Sequence, residues 1–561
     1  MTINNDYIAD QFSLLSKLMD IHGENSFKTK SYSIAAFTIE KLPEQLTDIP
    51  REKIFSIKGI GDAIGKKIID IIETGELKLL KEFVQKTPLG VIELLNLKGL
   101  GPKKIAVVWK EMEIESVGEL LYACQENRLL LYKGFGEKTQ KSIGETIEFY
   151  LKNQGSHLYA EVENYALAMD SAIKKKFPQN RFELTGEFRR QLEIVNQLEW
   201  ITNLDLPTLQ TFYEQSAFSV IESGPEKIIV QGPEKITLCF HPAADRYFFE
   251  RLFRTSCSDA FLQAWEKEFT SVEAGNDASE EEIFSSRKLQ FIPAYLRDNP
   301  SIISRAKTQP MPVVIQPEDI RAIVHSHSNW SDGSNTVEEM GRACVDQGLE
   351  WMVISDHSKS AFYANGLSED RIREQHVYID ELNSKLAPFR IFKSIECDIL
   401  NDGNLDYSDA ILSTFDLVIT SVHSNLKMNE EKAMMRLLRA IENPYTTILG
   451  HMTGRLLLSR PGYPVDHKQV IDACAAQQVV IELNAHPRRL DMDWRWIDYA
   501  LEKGVLISID PDAHSVEGFH AIKYGCLAAQ KAGLTKEKNL SSFSLKQMEE
   551  YLAGRRKAKG I

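Results

Sequence analysis

Residues 320–333 read Ile320-Arg321-Ala322-Ile323-Val324-His325-Ser326-His327-Ser328-Asn329-Trp330-Ser331-Asp332-Gly333, a short apolar run that ends in two histidines two positions apart. In an extended segment, residues i and i+2 face the same side. His325 and His327 can therefore reach one metal ion, with Asp332 a third possible ligand. Such a pair taken alone is equally a pair of hydrogen-bonded core histidines.

The same pattern recurs down the chain. Residues 351–355 end in Asp356-His357, 390–395 in Glu396, 417–422 in His423, and 446–449 in Gly450-His451. Residues 479–483 pass Glu482 and reach Asn484 and His486, and 505–509 end in Asp510-Pro511-Asp512-Ala513-His514. Helix-patterned stretches at 336–347, 370–385, 430–443, 467–477 and 493–503 lie between them. Alternating strands and helices predict a parallel sheet. Seven repeats with a polar residue just past each strand predict a barrel with ligands gathered at its C-terminal mouth. Of 13 histidines, 10 lie after residue 320, and the strand-end ones together point to a multinuclear metal site.

His325-x-His327, Ser331-Asp332-Gly333, Asp356-His357-Ser358, Glu396-x-Asp398, Ser421-Val422-His423-Ser424, His451 and Asp512-Ala513-His514 resemble the PHP (polymerase and histidinol phosphatase) domain. Gly403-x-Leu405-Asp406-Tyr407 and Arg489-Leu490-Asp491 resemble the version fused to bacterial family X DNA polymerases. The likeness covers roughly 320–555 and implies a distorted (β/α)7 barrel. It implies three divalent ions on His325, His327, Asp332, His357, Glu396, His423, His451, Asp512 and His514, with Asp512, His514 and Glu396 central to catalysis. In that scheme His325, His327, Glu396 and Asp512 hold one ion. Glu396 bridges to a second on His423 and His451, and Asp332, His357 and His514 hold a third. A mixed histidine and carboxylate set suits Zn²⁺, Mn²⁺ or Fe²⁺ better than Mg²⁺ or Ca²⁺. Ions so held acidify a water and offset charge on phosphate oxygens. Arg455, Arg488, Arg489 and Lys359 are candidates to hold substrate phosphate through N–H donors, with surface salt bridges as the alternative.

At 561 residues the chain exceeds one core and predicts three or four domains. No run of about 18 apolar residues suits a membrane span, and the start lacks a signal-peptide pattern. Seven cysteines without a Cys-x-x-Cys pair point to a reducing compartment, the cytoplasm. A net charge of −14 argues against broad attraction to nucleic acid, so any DNA contact must rest on local motifs.

Three such motifs stand early. They are Ile57-Lys58-Gly59-Ile60-Gly61 with Lys66, Leu97-Lys98-Gly99-Leu100-Gly101 with Lys103 and Lys104, and Tyr132-Lys133-Gly134-Phe135-Gly136. Each Gly-apolar-Gly turn exposes amide N–H groups at the next helix's N-terminus, where a phosphate is favoured. One copy is no more than a turn between helices. Three with following lysines resemble the helix-hairpin-helix clamps of DNA repair proteins, which grip the DNA backbone without base preference.

Thr185-Gly186-Glu187-Phe188-Arg189-Arg190-Gln191-Leu192-Glu193 resembles the palm of family X polymerases. Where that family carries an Asp-x-Asp pair, this chain has Gln197 and Glu199. Thr237 stands where the third aspartate belongs, and Glu187 where a phosphate-holding serine belongs. Magnesium demands hard charged oxygen ligands, so it is not expected here, and the polymerase site reads as degenerate. Arg189 and Arg190 then become ion pairs or residual DNA contacts. Residues 280–298 resemble the end of the family's thumb.

The sequence thus predicts an 8-kDa-like helical domain over 1–85, a fingers-like one over 86–150, a degenerate α+β palm and thumb over 151–298, a proline-bearing linker over 299–319, and the PHP domain over 320–561. The leading function is a DNA-binding, metal-dependent 3′-5′ exonuclease or 3′-end-processing enzyme of DNA repair. A small-molecule phosphatase and a still active gap-filling polymerase are the alternatives. A monomer is the working expectation.

Overall fold

The computed structural model describes residues 3–42, 44–97, 99–151, 155–232, 235–269 and 278–561, so that Lys98 of the second hairpin lies outside the described residues. It forms two compact units, residues 1–125 with 132–150, and residues 126–131 with 151–561.

The first unit is helical. Its central helix, Asn5–His22, begins where the Asn4 side chain accepts the Tyr7 N–H and ends at Gly23, whose φ of 80° suits glycine. Ile8, Phe12, Leu15 and Met19 recur at helical spacing and are buried. At its C-terminal end the His22 ring meets Phe83 and Trp109 edge-on, each at 5.2 Å. One helix therefore shares its core with both 1–85 and 86–150.

The second unit opens with a five-stranded sheet in the order Phe182–Thr185, Leu198–Thr202, Thr237–Pro242, Ile228–Gln231, Ser219–Ser223. The pair Leu198–Thr202 and Thr237–Pro242 is parallel, and the remaining pairs are antiparallel. Alternation sends Leu198, Trp200, Leu238 and Phe240 into a core with Val162, Ala166 and Ile173 of the helix Tyr159–Lys176. Glu199, Cys239 and His241 take the opposite face. A helical layer around Phe253, Phe261, Trp265 and Phe284 follows.

Residues 299–319 are more than a linker. They contain the helix Ile302–Thr308, whose Ile302, Ile303 and Ala306 join that aromatic cluster. The expectation of a plain spacer missed this because apolar residues at i, i+1 and i+4 mark a buried helix face even between prolines. Sheet body and barrel also share a polar seam. The buried Lys531 ammonium donates to Asp298 Oδ2 at 2.5 Å and to the Arg190 carbonyl at 2.6 Å. Arg495 Nη1 donates to Glu193 at 2.8 Å, and Lys523 to Glu163 at 2.6 Å.

In the C-terminal half the strands form two parallel sheets. Ala322–Ile323, Trp351–Ile354 and Arg390–Lys393 make one, and Glu396–Asp398, Val418–Ser421, Thr446–Leu449, Val480–Asn484 and Ile507–Asp510 the other. The strand expected over 390–395 thus breaks around Ser394 and Ile395 into two short strands in different sheets. The sheets meet through single bridges at their C-terminal ends, Ser326 with Ala513 and His357 with Glu396. Both seams pass through the candidate ligand loops. Where the repeats predict a closed barrel, the described strands form two parallel sheets joined only by single bridges at their C-terminal ends. Among the described residues no helix is long and apolar enough to cross a membrane.

Candidate functional site

The nine side chains singled out at the strand ends converge. His325 Nε2 lies 3.2 Å from Glu396 Oε1 and 3.5 Å from Asp512 Oδ1, and His327 Nε2 lies 3.2 Å from the same Asp512 oxygen. His423 Nε2 and His451 Nε2 approach Glu396 Oε1 at 3.1 and 3.0 Å. His357 Nε2 and His514 Nε2 flank Asp332 at 3.5 and 3.6 Å. Four groups of at least three ligand atoms, each group within 4.8 Å, cover all nine residues.

The grouping departs from the expected scheme in two respects. His327 belongs to the Asp332, His357 and His514 group as well as to that of His325 and Asp512. His357 turns its Nδ1 to Glu396 Oε2 at 3.0 Å, so Glu396 touches the whole constellation rather than two parts of it.

The donor set fits divalent cations. His325 Nε2, His423 Nε2, His514 Nε2 and Glu396 Oε2 are buried and make no well-aligned hydrogen bond, although each faces its neighbours in the cluster. Buried polar atoms are rarely left so, and a cation would satisfy them together. Burial alone would push the His325 imidazole down, yet Glu482, Asp512 and Glu396 hold it well above its ordinary value. Burial and the neighbouring His357 and His514 push His327 down to about 3. Against burial, His357 and His514 hold Asp332 well below the usual carboxylate range, as His423, His325 and His357 do for Glu396.

Local backbone geometry serves this arrangement. His325 and Asp512 have φ of 56° and 52°, left-handed values that cost a non-glycine residue roughly 1–2 kcal/mol. Both stand at seams between the sheets. A Cβ on Gly333 would sit 2.1 Å from the His327 carbonyl oxygen, so the turn carrying Asp332 requires glycine there.

Several supporting residues stand in the motifs quoted from the sequence but carry no role there. His325 Nδ1 contacts Glu482 Oε2 at 2.5 Å, and His423 Nδ1 contacts Asp398 Oδ1 at 3.0 Å. Such carboxylates fix which ring nitrogen faces a metal. Their signal was positional, since Asp398 follows Glu396 by two residues on one strand face. Asp356, next to His357, accepts from Ser328, Ser331 and Gln375, and so ties the first ligand loop to its neighbours.

The phosphate-holding candidates fare differently. Arg455 pairs with Asp493 at 2.6 Å and donates to the carbonyls of Arg489 and Leu490. Arg488 pairs with Glu161 of the sheet body at 2.9 Å. Both guanidinium groups thus have partners distant in sequence, the salt-bridge alternative raised for them, and nothing in the structure tests a phosphate contact. Arg489 Nε lies 3.7 Å from Asp512 Oδ2, at the edge of the ligand cluster. Lys359 is half exposed, with Glu369 3.8 Å from its ammonium.

In the helical unit the three hairpins repeat one geometry. Gly59, Gly99 and Gly134 have φ of 94°, 89° and 98°, which glycine alone adopts freely. The apolar residue between each glycine pair, Ile60, Leu100 or Phe135, is buried. Gly61, Gly101 and Gly136 are exposed, and the helices Asp62–Thr74, Pro102–Lys110 and Glu137–Leu151 start directly after them. Lys66 and Lys103 are exposed on these helices, and Lys104 is half-buried 5.8 Å from the Phe135 ring.

On the palm-like sheet, Arg189 forms a two-pronged pair with Glu280 at 3.0 and 2.6 Å, and Arg190 pairs with Asp298 at 3.2 Å. The ion-pair reading holds for both. Glu187 accepts from the Asn196 N–H at 2.7 Å. Gln197 directly precedes Leu198–Thr202, Thr237 opens Thr237–Pro242, and Glu199 stands in register with Cys239.

A family profile described as "Helix-hairpin-helix domain" matches residues 3–77. The chain is 32% identical over 562 aligned residues to the DNA polymerase/3′-5′ exonuclease PolX of Bacillus subtilis (strain 168), covering 95% of this chain and 96% of that protein. It is 26% identical over 251 residues to a probable phosphatase of Thermoanaerobacter sp. (strain X514), covering 42% of this chain and 96% of that protein. A probable phosphatase of Escherichia coli O81 (strain ED1a) is 27% identical over 173 residues, covering 29% of this chain and 60% of that protein.

Proposed function

The chain belongs to the PolX family of DNA polymerase/3′-5′ exonucleases, and we propose that its C-terminal half is a metal-dependent phosphoesterase that removes nucleotides from DNA 3′ ends. The observation that supports this most is the convergence of nine buried histidine and carboxylate side chains in overlapping groups whose ligand atoms lie within 4.8 Å of one another. Divalent ions of the Zn²⁺, Mn²⁺ or Fe²⁺ class, held by these residues, would supply an acidified water and offset phosphate charge. The chain's own task is positional. Glu482 and Asp398 orient His325 and His423, Gly333 seats Asp332, and Arg489 stands beside Asp512 with N–H groups suited to a phosphate oxygen. The hairpin amides, with Lys66 and Lys103, would hold the DNA backbone without reading bases. Seven buried, unpaired cysteines suit a reducing compartment such as the cytoplasm.

Two further readings each have a specific observation behind them. The name and coverage of the Bacillus subtilis relative favour an active polymerase beside the exonuclease, better than they favour a silent polymerase core. Against that stand Gln197, Glu199 and Thr237, which offer one carboxylate where two magnesium ions need several. The phosphatase relatives align with the C-terminal half alone and favour a phosphomonoester substrate.

One experiment separates the three. A primer–template labelled at either end is incubated with protein and Mn²⁺, with and without dNTPs, beside Asp512→Ala and His514→Ala variants. Shortening from the 3′ end, lost in the variants and without extension, is the expected result. Templated extension by a single nucleotide overturns the silent-core reading. Release of phosphate from a small phosphomonoester with no action on DNA overturns the exonuclease.

A further inference from the structure

The palm-like sheet carries a second constellation, chemically unlike the one in the barrel. Glu199 and Cys239 are register partners on adjacent parallel strands, and His241 follows Cys239 by two residues on the same face. His241 Nε2 lies 2.8 Å from Glu199 Oε2 and 3.5 Å from Cys239 Sγ, and the three ligand atoms fall within 4.8 Å of one another.

Without a cation, an ordinary histidine–carboxylate hydrogen bond accounts for the 2.8 Å contact and leaves the thiol proton without a strong acceptor. One ring nitrogen faces both the carboxylate and the sulfur. If Nε2 carries a proton, it serves the carboxylate and turns no acceptor toward the thiol. If it carries none, it accepts from the thiol and sets its lone pair against a carboxylate oxygen. A metal ion would satisfy all three ligand atoms at once. Tetrahedral coordination with metal–nitrogen and metal–sulfur bonds of about 2.0–2.3 Å places ligand atoms roughly 3.4–3.6 Å apart. The observed sulfur–nitrogen spacing of 3.5 Å matches, while the 2.8 Å nitrogen–oxygen contact is that of a hydrogen bond and would lengthen on metal binding.

The surroundings leave room for that carboxylate. A Cβ on Gly186 would sit 2.1 Å from Glu199 Oε1, so glycine is what admits Glu199 there. Gln197, Glu199 and Thr237 are the positions where the polymerase resemblance expects carboxylates, and Gln197 and Thr237 precede Glu199 and Cys239 by two residues on their face. A sulfur–nitrogen–oxygen set thus shares Glu199 with the expected magnesium positions and adds Cys239 and His241 in place of further carboxylates.

We propose that Glu199, Cys239 and His241 bind one borderline-soft divalent cation of the Zn²⁺ class, leaving a fourth position open to water or ligand. A thiolate, an imidazole and a carboxylate favour zinc over magnesium or calcium. The site joins the two central strands of the palm. It stands whether or not the barrel is an exonuclease.

Cobalt serves as the probe because thiolate ligation gives a charge-transfer absorption in the near ultraviolet. None of the nine barrel ligands carries sulfur, so that absorption reports the palm alone. Metal-stripped full-length protein is titrated with Co²⁺ and then challenged with Zn²⁺. The expected result is a band that Zn²⁺ abolishes, absent in Cys239→Ser, weakened at least about tenfold in apparent affinity in His241→Ala, and retained in Asp512→Asn. Near-ultraviolet circular dichroism checks that each variant is folded, and zinc content per chain gives a second readout, lower by one equivalent in Cys239→Ser. No band in the wild-type protein, or a band that survives Cys239→Ser, overturns the proposal.

Discussion

Replacing Glu482 by glutamine tests how far the candidate metal site depends on orientation. The carboxylate has two tasks. Oε2 contacts His325 Nδ1 at 2.5 Å, while Oε1 accepts the His451 N–H and the Asn484 amide, both at 3.0 Å. Glutamine can perform only one of them. With its oxygen toward His325, its NH2 faces two donors and leaves buried groups unpaired, at about 1–3 kcal/mol each. With its NH2 toward His325, Nδ1 must accept, the ring proton moves to Nε2, and the nitrogen facing Glu396 and Asp512 is blocked. Loss of such an orienting partner commonly lowers metal affinity or activity about 10–100-fold, or ~1.4–2.8 kcal/mol. Single-turnover shortening of a 5′-labelled primer in Mn²⁺, with metal content measured in parallel, is the assay. Wild-type rate and full metal content in a folded Glu482→Gln protein would refute the reasoning.

Other consequences follow from the same contacts. Gly333→Ala places a methyl group against the His327 carbonyl and should shift Asp332, lowering bound metal and cutting the shortening rate at least about tenfold; an unchanged metal count would contradict this. In metal-stripped protein, burial opposes charging, but Glu396 and Asp398 raise His423, and Asp332 raises His514, each to about 9. A raised histidine contributes stability that is full below its ordinary 6.5 and lost as pH climbs through the folded value. The stripped protein's Tm should therefore fall between those pH values. The metal-loaded protein should instead gain stability, since neutral imidazole binds the ions more tightly; parallel slopes would rule this out. Lys66→Ala and Lys103→Ala should each reduce the slope of log K against log salt for DNA binding by about 0.9 per lost phosphate contact, without changing sequence preference. A slope identical to wild type would remove those lysines from the interface.

What was legible in the sequence follows from where information sits along the chain. Most of the candidate ligands lie just past an apolar run, so strand periodicity flagged His325, Glu396, His423 and Asp512 together with Glu482, Asn484 and His486, and the resemblance to the PHP domain singled out the nine. The hairpins were legible because glycine marks the left-handed turn at Gly59, Gly99 and Gly134. Contacts between remote segments were not. Nothing in the sequence around Lys531 announces that the fold brings Asp298 and the Arg190 carbonyl to it. The sequence offers Arg455 and Arg488 as phosphate hands or salt-bridge partners, and only the fold shows that Asp493 and Glu161 face them. The Glu199, Cys239 and His241 group depends on the register between strands about forty residues apart, which no local pattern states. The break at Ser394 and Ile395 is likewise a property of two sheets meeting rather than of the apolar run itself.

The most direct measurement is 3′ shortening of a 5′-labelled primer by native, chelator-stripped and Mn²⁺-reconstituted protein, followed against metal equivalents added. The expected result is loss of activity on stripping and its return as the ligand cluster refills, approaching three equivalents for the barrel beyond any held by the palm. Undiminished shortening by the stripped protein, or no shortening of DNA at full metal loading, would contradict the account.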